Sequence, residues 1–69
     1  MSIAKNIEIS STSTVGFEDA IKQGIKSASK TIQNIRGAWI KEQKVDVADG
    51  EVTEYSVTMI ITFVLSDRE

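Results

Sequence analysis

The run from Lys44 to Leu65 constrains this chain most, because two strands meet there at Asp49-Gly50. Asp-Gly is a preferred pair for a type I′ turn, since both central residues need positive φ and these two adopt it at little cost. A loop of two residues fixes the register of the strands it joins. With Asp49 and Gly50 as that loop, Val47 is expected opposite Val52, Val45 opposite Glu54 and Gln43 opposite Ser56. At the same step Lys41 meets Thr58, Trp39 meets Ile60 and Gly37 meets Thr62. Tyr55, Val57, Met59, Ile61, Phe63 and Leu65 alternate along the last strand. A strand face so uniformly apolar is a core face. Trp39, the single tryptophan, then lies on the opposite face.

The rest of the chain supplies a strand and a helix. Ile3 to Ser10 places Ile3, Ile7 and Ile9 on one side of a first strand. Ser13 or Thr14 is positioned to cap a helix, with Glu18 and Asp19 near its positive end. Phe17, Ala20, Ile21, Gly24, Ile25, Ala28 and Ile32 recur at helical spacing as one apolar stripe. Glu18 precedes Lys22 by four residues, the favourable order for a surface ion pair. Lys22, Lys26 and Lys30 form a basic column, either a solvated face or a site for phosphates and acids. A second strand runs from about Ile35 to Val47. The helix returns the chain, so the first strand is parallel to the second and pairs antiparallel only with the third. The expected fold is α+β: β-α-β-β, a three-stranded antiparallel sheet in the order 1-3-2 wrapped around one helix, as a single domain over residues 1–69.

A 69-residue chain buries only about 60% of its unfolded surface. Domains this small usually rely on disulfides, a metal or association. There is no cysteine and no histidine, so disulfides and the usual zinc ligands are missing and association remains. Eight basic and ten acidic residues are interspersed, and the net charge is −2, unlike the basic footprint of a nucleic-acid binder. No apolar run approaches the ~20 residues of a membrane-spanning helix, and no signal segment is evident. The expected location is cytoplasmic, without membrane or nucleic-acid partners.

The face opposite the helix is expected to hold Gly37, Trp39, Lys41, Gln43, Val45, Val52, Ser56, Thr58, Ile60, Thr62 and Val64. A mixture of Trp, Val and Ile with short hydroxyls marks an interaction surface, and self-association is the expected use. Three roles stand for Trp39: a packing anchor between subunits, a stacking platform for a flat ligand, or an exposed side chain. Asp46, Asp49 and Glu51 at the hairpin tip could offer oxygens to a calcium or magnesium ion, although turn chemistry already explains Asp49. Glu42 and Glu54 are expected opposite Val57 and Val45, so no carboxylate pair forms for acid–base catalysis. No enzymatic activity is expected.

Several segments, in this order and spacing, resemble the dodecin family along nearly the whole chain. They are Ala4-Lys5-Asn6-Ile7-Glu8-Ile9-Ser10-Ser11-Thr12-Ser13, the helix start Phe17-Glu18-Asp19-Ala20-Ile21, and Lys30-Thr31-Ile32-Gln33-Asn34-Ile35-Arg36. Ile40-Lys41-Glu42-Gln43-Lys44-Val45, and Glu54-Tyr55 leading into an alternating strand, complete the match. The resemblance implies a hollow homododecamer that binds and stores flavin, riboflavin or FMN, without turning over a substrate. Flavin-binding members sandwich the ring between tryptophans of symmetry-related subunits and hydrogen-bond its edge with a glutamine. Those positions are Gly37 and Ser56 here, so both family residues are replaced. Trp39 lies two residues from Gly37, about 7 Å along the same face. Gly37, Trp39, Gln43, Ser56 and Thr58 are therefore the candidate cofactor-binding residues. The alternative is a flavin-free assembly with a structural or ion-binding role, since some members without the tryptophan are associated with ions.

Overall fold

The computed structural model describes residues 3–66. Strand β1 (Ile3–Ser13) leads to helix α1 (Phe17–Ala28), then to β2 (Ile35–Ala48) and β3 (Glu51–Ser66). The strands form one antiparallel sheet in the order β1-β3-β2. The sheet has this order because α1 reverses the chain between β1 and β2, leaving β3 as the antiparallel partner of both.

The core sits where α1 lies over β1 and β3. Val57, Met59 and Ile61 point from β3 toward the helix and are fully buried with Ala20. Ile7 and Ile9 of β1, Phe17, Ile21 and Ile25 of α1, and Ala38 of β2 close around them. The Phe17 and Tyr55 rings meet edge to face, with centroids 5.2 Å apart, a geometry that adds about 1 kcal/mol beyond burial. Gly24 permits the close approach of helix and sheet. A Cβ there would lie 2.6 Å from Met59 Cε and 3.0 Å from Ser11 Cβ.

Both helix ends differ from expectation. The residue before α1 is Gly16, which has no side chain to cap with, and its carbonyl accepts from the Ala20 N–H at 3.0 Å. Ser13 acts one step earlier. Its Oγ accepts from the N–H groups of Val15 (2.9 Å) and Gly16 (3.4 Å) and donates to the Asp19 carboxylate at 2.6 Å. It thereby ties the entry turn to the first helical turn. At the other end α1 stops at Ala28, short of Ile32. Lys30 and Thr31 donate to Ser27 and Ala28 carbonyls in tighter turns, and the Ser29 hydroxyl donates to the Lys26 carbonyl at 2.8 Å. Asn34, at φ 65°, then turns the chain into β2. Lys30 therefore lies beyond the helix, separate from the helical Lys22 and Lys26.

The hairpin turn has the expected geometry, with φ of 54° at Asp49 and 78° at Gly50. Val47 opposes Val52, Trp39 opposes Ile60 and Gly37 opposes Thr62, as the turn requires. Between those points the register slips by one. Asp46 opposes Glu54, Val45 opposes Tyr55, Lys44 opposes Ser56, Gln43 opposes Val57 and Glu42 opposes Thr58. Two bulges cause the slip and cancel it: Thr53 is extra on β3, and Lys41 is extra on β2. The Thr53 hydroxyl fastens the first by donating to the Asp46 carbonyl at 3.2 Å. A third extra residue, Arg36, lies near the start of β2.

At Gly24, a β-branched side chain would overpack the contact with Met59 and Ser11. Gly24→Val is expected to lower stability by about 1–3 kcal/mol. Chemical denaturation at fixed protein concentration measures this, and an unchanged midpoint would contradict the close-approach role.

Candidate functional site

The sheet face turned away from α1 carries the candidate site. Even-numbered residues of β3 from Ser56 to Thr62 project there, because Val57, Met59 and Ile61 occupy the helix side. Trp39, beside Ile60, is 76% exposed. Gly37 lies further along β2 beside Thr62, and a Cβ built on it meets nothing within 4 Å. An aromatic plate thus stands next to open space.

Polar side chains extend the face toward the hairpin tip. Thr12 and Ser56 hydroxyls pair at 3.1 Å, and Ser10 and Thr58 at 3.3 Å. With Glu42 and Lys44 these four line an open groove of about 340 Å³. Each hydroxyl has one donor and two acceptor sites, so a pair that satisfies itself keeps capacity for a third group. In the other direction, Thr62 donates to Asn6 Oδ1 at 2.6 Å. Lys41, set free by its bulge, reaches across β3 to Glu8, with Nζ 3.1 Å from Oε1. Both side chains are about half exposed, so the bridge contributes at most about 1 kcal/mol.

The structure brings together four of the five residues expected at this face: Gly37, Trp39, Ser56 and Thr58. Gln43 is the correction. Opposite Val57 rather than Ser56, it projects to the helix side of the sheet. The same slip moves Val45 to the helix side, opposite Tyr55. The Thr53 bulge does likewise for Val52, which the uniform register had placed outward. Lys44 and Glu42 take the vacated outward positions, and strict alternation from the turn conceals them. Ser10 and Thr12 were legible in principle, since they alternate with Ile7 and Ile9 along β1.

Carboxylates also differ from expectation. Glu54 opposes Asp46 instead of Val45, which sets two acids side by side. Lys44 offsets this repulsion, its Nζ lying 3.5 Å from Asp46 Oδ1. Among the described residues, no three acidic side chains converge closely enough to hold a metal ion. On the helix, the Glu18–Lys22 pair forms as its spacing predicts, at 3.2 Å and well exposed.

The dodecin family model matches residues 3–66. The chain belongs to the dodecin family. Solved dodecin structures share its fold. An arginine-to-alanine mutant of the Thermus thermophilus dodecin has a TM-score of 0.89 at 28% identity, covering 97% of this chain and 100% of that one. The dodecin of Streptomyces davaonensis has a TM-score of 0.88 at 30% identity, covering 96% and 97%. A calcium dodecin from Mycobacterium tuberculosis, described as having a novel calcium-binding site, reaches 0.79 at 26% identity, covering 99% and 97%. No curated protein matches in sequence. Among the described residues, no helix of this dodecin is long and apolar enough to cross a membrane.

Trp39 reports directly on whether its face is covered, because it is the only tryptophan. Its emission is expected to shift to the blue, and its quenching by acrylamide to fall, when another copy or a ligand covers the face. Quenching as efficient in the concentrated protein as in urea would show that the indole stays in water.

Proposed function

We propose that this dodecin is a non-enzymatic binding protein of the cytoplasm that assembles as a homododecamer and holds a flavin, riboflavin or FMN, at the outer sheet face. The observation that carries the reading is Trp39, largely exposed on that face beside the open space at Gly37. Large aromatic side chains seldom stand so free without a partner, and Trp stacks well on flat rings. The residues present fit a flat heterocycle with polar edges. Trp39 offers the plate, Gly37 leaves room for bulk, and the neutral hydroxyls of Ser56 and Thr58 can donate or accept.

When bound, a flavin would supply light absorption and redox capacity. The protein's part is to stack the ring and keep it from solvent. Trp39 replaces the family's plate from two residues away, and Ser56 gives one hydroxyl where the family has an amide. A stacked aromatic contact is worth roughly 1–3 kcal/mol by analogy with bases on aromatic side chains. Nothing at the face suggests turnover. The Asp46–Glu54 pair has Lys44 beside it, and the chain contains neither histidine nor cysteine.

Likeness to a calcium dodecin favours a second reading, a flavin-free assembly that binds an ion. Acidic residues from more than one copy would be required, since one chain's described residues gather no three. Titration separates the readings. Riboflavin fluorescence is expected to fall on adding the protein, and Trp39→Ala to weaken binding about 5- to 150-fold, the equivalent of one stack. Restoring the family plate by Gly37→Trp is expected to tighten it. Unchanged flavin emission at micromolar protein, together with calcium-dependent stabilisation, would establish the second reading instead. Native mass spectrometry checks the assembly, expected at about twelve times the 7.6 kDa chain.

A further inference from the structure

An aspartate carboxyl reacts with its own backbone when the next amide nitrogen is uncrowded and free to turn. The hairpin tip meets both conditions. Asp49 is followed by Gly50, both are exposed, and both lie beyond the last ladder pair, Ala48 with Glu51. Among the described residues, the Gly50 N–H donates to nothing, and the Asp49 carboxylate holds no hydrogen bond or ion pair. Gly50 has no side chain to crowd its nitrogen, and a Cβ built on it meets nothing within 4 Å.

Elsewhere among the described residues the same chemistry is guarded. Ser13 donates to the Asp19 carboxylate at 2.6 Å, and the Gly16 carbonyl holds the Ala20 N–H at 3.0 Å. Asp46 and Asn6 sit inside the ladder, opposite Glu54 and Thr62. The residues after Asn6, Asn34 and Asp46 are Ile7, Ile35 and Val47, whose branched Cβ crowds the nitrogen.

We propose that Asp49-Gly50 is a self-modification site, at which the aspartate converts to isoaspartate through a succinimide. The Gly50 nitrogen bonds to Asp49 Cγ, and the N–H proton leaves with the carboxyl hydroxyl as one water. Water then adds back at either ring carbonyl. Opening at the side-chain carbonyl restores aspartate. Opening at the main-chain carbonyl routes the backbone through Cβ and Cγ and frees the former main-chain carboxyl. No electrons are transferred, and the charge of the chain is unchanged. The inference is independent of any ligand at the Trp39 face.

The product carries one extra carbon in its main chain. A two-residue turn with φ of 54° and 78° no longer closes on that geometry, so the pairs Ala48–Glu51 and Val47–Val52 open. The Thr53 bulge stops the change there. Its hydroxyl holds the Asp46 carbonyl at 3.2 Å, and an irregular step already present takes up the slack. Pairing from Asp46–Glu54 onward is retained, and the Trp39 face with it.

The native protein, aged at neutral pH and physiological temperature, tests this. Isoaspartate is mapped by peptide mass spectrometry and by methylation with a protein-isoaspartate methyltransferase. It is expected at Asp49 at about tenfold the level at Asp19 or Asp46. Equal levels at the three, or isoaspartate at Asp49 only after unfolding in urea, would overturn the proposal. Asp49→Asn keeps a preferred turn pair and has a better leaving group, so it is expected to react faster and release ammonia. An Asp49→Asn chain that keeps its amide over the same period would also overturn it. In the isolated isoaspartyl form, hydrogen exchange is expected to lose protection over residues 47–52 and to keep it at Val57, Met59 and Ile61. Loss throughout β2 and β3 would overturn the containment at Thr53.

Discussion

Everything in this fold depends on β3 and on the alternation of its side chains. Its backbone pairs with β1 on one edge and β2 on the other, so it holds the sheet together. Its odd-numbered residues Val57, Met59 and Ile61 form most of the buried core. Its even-numbered residues Ser56, Thr58, Ile60 and Thr62 line the candidate site. Because side chains on a strand alternate strictly, every gain in packing on one face fixes what the other presents. The helix adds a local condition: it can reach the strand because Gly24 leaves room for Met59.

Much of this was legible in the sequence because the strongest signals were local. Asp49-Gly50 specified its turn, and six alternating apolar residues identified the core face and the central strand. The crossover through α1 then left only one strand order. Bulges were illegible, since nothing in Thr53 or Lys41 announces an extra residue. Their effects cancel, so pairs at both ends of the hairpin agree with a uniform register while those between are displaced. Gln43 entered the candidate site for that reason and leaves it for the same reason. The helix ends show a similar limit. Ile32 continues the apolar spacing of α1, yet tight turns after Ala28 and the left-handed Asn34 end the helix sooner.

The outer face gains its character from that displacement. Without the bulges at Thr53 and Lys41, Gln43 would sit beside Ser56 on the outer face. With them, Lys44 stands there, and Lys41 is free to bridge to Glu8 across β3. Hydroxyls with Glu42 and Lys44 gather at one end of the face, while Trp39, Ile60 and the gap at Gly37 lie at the other, beside the Lys41–Glu8 bridge and the Thr62–Asn6 hydrogen bond. Oxygen ligands for an ion would have to be drawn from separate copies.

Both faces of the hairpin therefore leave apolar surface in water, and for related reasons. On a sheet covered by a helix over its full length, the second face alone would be free for function. Here α1 covers only β1 and part of β3, so Val45, Val47 and Val52 are left uncovered on the side that ought to be core. The hydrophobic effect scales with the area removed from water, so covering either surface would add stability.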